Sequence, residues 1–129
     1  MHQFDLRNKT AIITGGAQGF GLDIAKRFLE SGAKAIIWDI DENKLLETIK
    51  EINNPNLLYN VVDVSNFENV KETVDEIIKN SNIDILINNA GITGSTSSLW
   101  DYDVKEWNQI IQVNLLGTFN CCKCVVPSM

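Results

Sequence analysis

The chain has 129 residues, 44% hydrophobic and 22% charged, with a net charge of −6. That is enough for one domain with a real core, and the acidic balance without any basic run excludes nucleic acid or an anionic membrane as an expected partner. No uninterrupted apolar run reaches the ~18 residues of a membrane span, and the segment from Met1 to Asp5 lacks a signal-peptide pattern.

In chain order the pattern alternates strand and helix. Thr10–Ile13 reads as a buried strand, Phe20–Glu30 as a helix ended by Ser31-Gly32, and Lys34–Trp38 as a second strand. Asp41 caps a helix to about Ile52, with Leu45, Ile49 and Ile52 on one face, and Asn53 to Asn56 breaks it. Leu57–Val62 is a third strand. Ser65 with Glu68 predicts a capping box for a helix whose core stripe is Val70, Val74, Ile77 and Ile78. Ile83–Ile87 is a fourth strand, and a polar loop, 88–101, contains Gly94-Ser95-Thr96-Ser97-Ser98. Asp103 and Glu106 predict a second capping box, opening one long helix from Val104 to about Val126. Strands and helices in alternation with short connections predict an α/β fold. Its parallel sheet is doubly wound, ordered 3-2-1-4, with ligands at the carboxyl ends of the strands.

Those carboxyl ends carry the chemistry. The first strand runs into Thr14-Gly15-Gly16-Ala17-Gln18-Gly19-Phe20-Gly21 and then a helix. Glycines between a strand and a helix start let the backbone approach a pyrophosphate, which the helix N–H groups and dipole attract. The alternative is a plain structural turn. The second strand ends at Asp39, near the spacing at which an acid accepts hydrogen bonds from an adenosine ribose. A carboxylate there repels a 2′-phosphate, and neither Gln18 nor Ile40 offers a cation, so NAD(H) is expected over NADP(H). The alternative is that Asp39, like Asp41, caps the next helix. Asp63, followed by Val64, either accepts from an adenine amino group or helps Ser65 start a helix. Asn88-Asn89-Ala90-Gly91 suits a backbone passing close to a ligand, or an ordinary loop start.

On the last helix Trp107, Ile110, Ile111, Thr118, Cys121, Cys122 and Val125 share a stripe that includes Asn114. A polar amide there is either a structural bridge or part of a site. Gly117 allows close packing or a bend. Cys121, Cys122 and Cys124 crowd one segment, so no disulfide framework forms and a reducing cytoplasm fits. No second pair or histidine completes a metal site beside Cys121 and Cys124, so no metal is expected.

Thr14-Gly15-x-x-x-Gly19-x-Gly21, Asp39, Asp63-Val64, Asn88-Asn89-Ala90-Gly91 and Val113-Asn114-Leu115 together resemble the short-chain dehydrogenase/reductase family, from about Lys9 to Met129. The segment from Ile92 to Pro127 is most similar to 3-oxoacyl-carrier-protein-reductase-like members and to sugar or sugar-acid dehydrogenases. The resemblance implies a Rossmann-type fold, a nicotinamide dinucleotide and a small alcohol or carbonyl substrate. It assigns the pyrophosphate loop to Gly15 through Gly21, including Ala17, Gln18 and Phe20. The ribose acid is Asp39, the adenine contacts are Asp63 and Val64, and the nicotinamide-side ribose region is Asn89, Ala90 and Gly91. Asn114 matches the asparagine that holds a water in the family's proton relay.

The resemblance also implies a serine and a Tyr-x-x-x-Lys pair for proton transfer, and neither is matched here. Tyr59 is followed four residues on by Asp63, and Tyr102 by Glu106, while Tyr102 and Lys105 have the wrong spacing. The expectation is the cofactor-binding half of an oxidoreductase, incomplete after the fourth strand and its following helix and inactive as these residues alone. An uncovered fourth strand and last helix are expected to make it poorly stable. The other readings are half of a split enzyme with a complementing C-terminal half, or a non-catalytic dinucleotide-binding module. A methyltransferase of the same general fold is more distant. Association of like chains through the last helix follows from the resemblance.

Overall fold

The computed structural model describes residues 3–129, so His2, the only histidine and assigned no role, lies outside them. The elements are β1 (Thr10–Thr14), α1 (Gly19–Glu30), β2 (Lys34–Asp39), α2 (Glu42–Ile52), β3 (Leu57–Val61), α3 (Phe67–Ile78) and β4 (Ile85–Ile87). A short turn of 3₁₀ helix at Leu99–Asp101 precedes α4 (Val104–Ile111) and α5 (Gly117–Val125), joined through a π-helical turn at Gln112–Leu116. The four strands form one parallel sheet in the expected order, β3-β2-β1-β4.

Successive side chains of a strand point to opposite faces, and both faces of this sheet are covered. Ile12, Ile36 and Trp38 join Val70 and Val74 of α3 and Cys121 and Val125 of α5 on one side. Ala11, Ile13, Ala35 and Ile37 join Ala25 of α1 and Leu45 of α2 on the other. Burial on both faces is why these strands read as unbroken apolar runs rather than alternating ones. Trp38 is fully buried because its one polar atom is satisfied: Nε1 donates to Asn60 Oδ1 at 3.1 Å.

The caps differ in part from expectation. Asp41 does cap α2, accepting the Lys44 N–H at 3.1 Å. The cap of α3 is Asn66, which accepts the Asn69 N–H at 3.1 Å, and not Ser65. Ser65 is engaged one turn earlier, where its N–H and hydroxyl both donate to Asp63 Oδ1. Asp103 accepts the Glu106 N–H at 3.3 Å. Glu106 does not close the box, because its carboxylate binds the N–H and hydroxyl of Ser95 instead.

The last helix is also not uniform. Its widened turn holds one extra residue, which rotates the face that follows by about 100° relative to a regular helix. The expected stripe is therefore split. Cys121 and Val125 are buried with Gly117 and Asn120, whereas Trp107 and Ile111 are exposed, as is Asn114. Gly117 is there for close packing, since a Cβ on it would stand 2.7 Å from Val64 Cγ2. Asn120 Nδ2 donates to the Val64 carbonyl at 2.9 Å, fastening α5 to the loop that follows β3. Burial pushes the Cys121 thiol up to about 12, so it stays protonated as a packing group.

The helical run Val104–Ser128, at mean hydropathy 1.2, is long and apolar enough by length and composition to cross a bilayer. Its contacts with the sheet through Cys121 and Val125 are those of a domain helix. Elsewhere its side chains Leu115, Leu116, Phe119 and Val126 are exposed, and β4 pairs with β1 alone.

Candidate dinucleotide-binding cleft

Thr14 closes β1 with its hydroxyl fully used. Oγ1 accepts the N–H groups of Asn89 at 3.0 Å and Ala90 at 2.9 Å, and donates to the Ile87 carbonyl at 3.4 Å. Asn89 returns the connection, its Nδ2 donating to the carbonyls of Thr14 and Gly15, both at 3.1 Å. The ends of β1 and β4 are thus laced together by one hydroxyl and one amide. Neither residue needs to touch a ligand to matter, because both set the path of the backbone that would.

That backbone turns at Gly15 and Gly19, with φ of +62° and +58°, in the left-handed region that favours glycine. Gly21 answers a different constraint. A Cβ there would press into the Gly15 carbonyl oxygen and stand 2.5 Å from Asn89 Nδ2. The turn delivers the chain to α1, whose N-cap Gln18 makes no side-chain capping bond, with no acid in the first turn. The leading N–H groups of α1 and the positive end of its dipole are thereby open to an anion.

At the neighbouring strand end Asp39 is not a helix cap; Asp41 has that role. Asp39 Oδ1 accepts the Asp41 N–H at 3.2 Å, and Oδ2 takes the Ala17 N–H at 3.4 Å. The Ala17 carbonyl in turn accepts from the buried Thr48 hydroxyl of α2 at 3.1 Å. The Ala17 peptide is therefore gripped from both sides, by the carboxylate and by the hydroxyl. Asp63 serves the local turn through Oδ1, bonded to Ser65 N at 3.0 Å and Oγ at 2.6 Å, while also bordering the cleft.

A cleft of about 640 Å³ runs across these strand ends. Of the predicted site residues, Gly15, Gln18, Gly19, Phe20, Asp39, Asp63, Val64, Asn89, Ala90 and Gly91 line it. Thr14, Ala17 and Gly21 sit behind that lining and shape it. Asn114 is not on the wall but next to it. Its Oδ1 accepts the Ile92 N–H and its Nδ2 donates to the Ile92 carbonyl, both at 2.8 Å, which is the structural bridge. The bridge fixes the start of the 88–101 loop against the widened turn, whose Gln112 and Val113 do line the cleft. The fit to a dinucleotide is good: glycines packed where a Cβ would intrude, an uncapped helix start, and a carboxylate one strand away.

Sequence reasoning missed several members of this wall. Trp38 and Val62 were read only as strand residues, and Gln109 and Gln112 were not singled out within the last helix. Lys44, also on the wall, sits in the first turn of α2, and its Nζ donates to Gln18 Oε1. A lysine one turn into an amphipathic helix carries no signal of its own. The buried Thr48 offered a faint one, being a polar residue on the apolar side of α2.

The family model described as short chain dehydrogenase matches residues 9–129. Among curated proteins, the 3-oxoacyl-acyl-carrier-protein reductase FabG of Chlamydia trachomatis is 38% identical over 128 residues, covering 96% of this chain and 51% of that protein. The 2-dehydro-3-deoxy-L-rhamnonate dehydrogenase (NAD(+)) of a Sphingomonas species is 36% identical over 122 residues, covering 94% of this chain and 48% of that protein. Among solved structures, the ligand-free aldohexose dehydrogenase of Thermoplasma acidophilum superposes with a TM-score of 0.85 at 34% identity, over 99% of this chain and 47% of that one. The chain spans about half the length of the relatives it matches.

Proposed function

Because the chain belongs to the short-chain dehydrogenase family, we propose that its cleft binds a nicotinamide dinucleotide, NAD(H) in preference to NADP(H). The oxidoreductase it serves acts on a secondary alcohol or its ketone. The observation that carries this reading is the glycine turn at Gly15 to Gly21, laced to Asn89 and flanked by Asp39. The pyrophosphate lies at the start of α1, the adenosine ribose against Asp39, and the adenine beside Asp63 and Val64. The nicotinamide-side ribose lies along Asn89, Ala90 and Gly91. The dinucleotide, when bound, supplies or takes up the hydride.

The substrate class follows the names of the relatives, a 3-oxoacyl thioester or a sugar or sugar acid. Asn114 is the proposed holder of a relay water, placed by its bond to Ile92. The serine and Tyr-x-x-x-Lys chemistry is assigned to residues outside these 129, in a longer chain or a complementing half. The open edge of β4 and the exposed apolar side of the last helix support such a cover, or a second copy of the chain. Three free cysteines support a reducing, cytoplasmic setting.

Binding constants for NADH and NADPH, measured by calorimetry on the same preparation, test the cofactor assignment. NADH is expected to bind more tightly by about tenfold, a net ~1.4 kcal/mol against a 2′-phosphate beside Asp39. Equal affinities, or tighter NADPH, would overturn the preference.

A further inference from the structure

Resting on that cofactor reading, we propose that Lys44 is a second determinant of cofactor choice. It is an ammonium at the adenosine end of the cleft, able to bind a phosphate monoester on the ribose and held in place by Gln18. The preference set by Asp39 is therefore narrow, and removal of that one carboxylate is enough to reverse it.

Three observations on the side chain carry this. Lys44, though exposed to solvent, lines the same cleft as Gln18, Asp39 and Ile40. Its Nζ donates to Gln18 Oε1, so the side chain reaches from the first turn of α2 back to the N-cap of α1. Its charge is not neutralised there. Among the described residues no carboxylate forms an ion pair with it, in contrast to Lys9, Lys71 and Lys79.

A cation in the first turn of a helix works against the helix dipole, which favours acids at that end. It costs the helix a little, offset in part by the Asp41 cap and by Glu42 in the same turn. Lysine is a compact point charge with three donors, well suited to a phosphate monoester and indifferent to a ribose hydroxyl. The neutral Gln18 oxygen fixes the ammonium without discharging it. With a 2′-hydroxyl dinucleotide Asp39 accepts the ribose hydrogen bonds and Lys44 contributes little. With a 2′-phosphate, Asp39 repels and Lys44 attracts, so the two partly cancel.

The test is a double-mutant cycle on binding. NADH and NADPH are titrated by calorimetry into the wild-type protein, Lys44→Met, Asp39→Ser and the double variant, and the ratio of NADPH to NADH affinity is compared. Because each ratio is taken within one protein, partial misfolding cancels. Lys44→Met is expected to lower the ratio by about tenfold, the contribution of one charge-assisted bond to phosphate. Lys44→Arg should leave it near the wild-type value. Asp39→Ser should raise the ratio above one, and adding Lys44→Met should erase that gain. A ratio unaffected by Lys44→Met in both backgrounds, while NADH still binds, overturns the role of Lys44 and leaves the cofactor reading standing. Failure of folded wild-type protein to bind either dinucleotide overturns both.

Discussion

Gly21→Ala is expected to weaken dinucleotide binding by about ten- to a hundredfold, the result of ~1–3 kcal/mol of overpacking strain expressed in affinity. The added methyl has nowhere to go. It meets the Gly15 carbonyl oxygen and, at 2.5 Å, Asn89 Nδ2. The first of these is backbone, so no side-chain rotation relieves it. The turn must open away from α1, and that movement breaks the Asn89 bonds to the Thr14 and Gly15 carbonyls, which define the wall of the cleft. Calorimetric titration with NADH reads the affinity, and circular dichroism confirms that the variant keeps its helices. Wild-type affinity in a folded Gly21→Ala protein would show that this turn does not shape the site.

Thr14→Val should lower the unfolding free energy by about 1–3 kcal/mol, since two part-buried N–H donors lose their shared acceptor. Valine has nearly the same shape, so packing is preserved and the hydroxyl alone is removed. Thr14 is 1% exposed, and its bonds to Asn89 N and Ala90 N are part-buried at the edge of the cleft. Thr14→Ser keeps the oxygen and loses one methyl, a change of about 0.8 kcal/mol. Urea unfolding of the two variants separates the hydroxyl from the methyl. A Thr14→Val protein as stable as Thr14→Ser would contradict the view that this hydroxyl binds β4 to β1.

What could be read from residue order was what depends on short range or on regular period. The strands were legible because both faces are buried, which turns Ala11 to Ile13 and Ala35 to Trp38 into continuous apolar runs. The glycine turn was legible because a strand and a helix bracket it. Asp39 was legible from its place at a strand end. Contacts that join distant segments were not. Ser65 looks like a cap until Asp63 takes both its donors, and Glu106 like half of a box until Ser95 claims it. The widened turn at Gln112–Leu116 leaves no mark on composition, yet it turns Trp107 and Ile111 away from the buried stripe. The roles of Lys44 and Thr48 depend on α2 packing against the glycine turn, 26 and 31 residues apart in sequence. No local pattern carries that information.

The most direct test of the dinucleotide site is amide hydrogen exchange across the chain with and without saturating NADH. The turn and helix start from Gly15 to Leu22 and the strand end from Asn89 to Ile92 should exchange more slowly with NADH present, while α3 stays unchanged. A folded protein whose exchange at both segments is indifferent to NADH would contradict the assignment of this cleft to a dinucleotide.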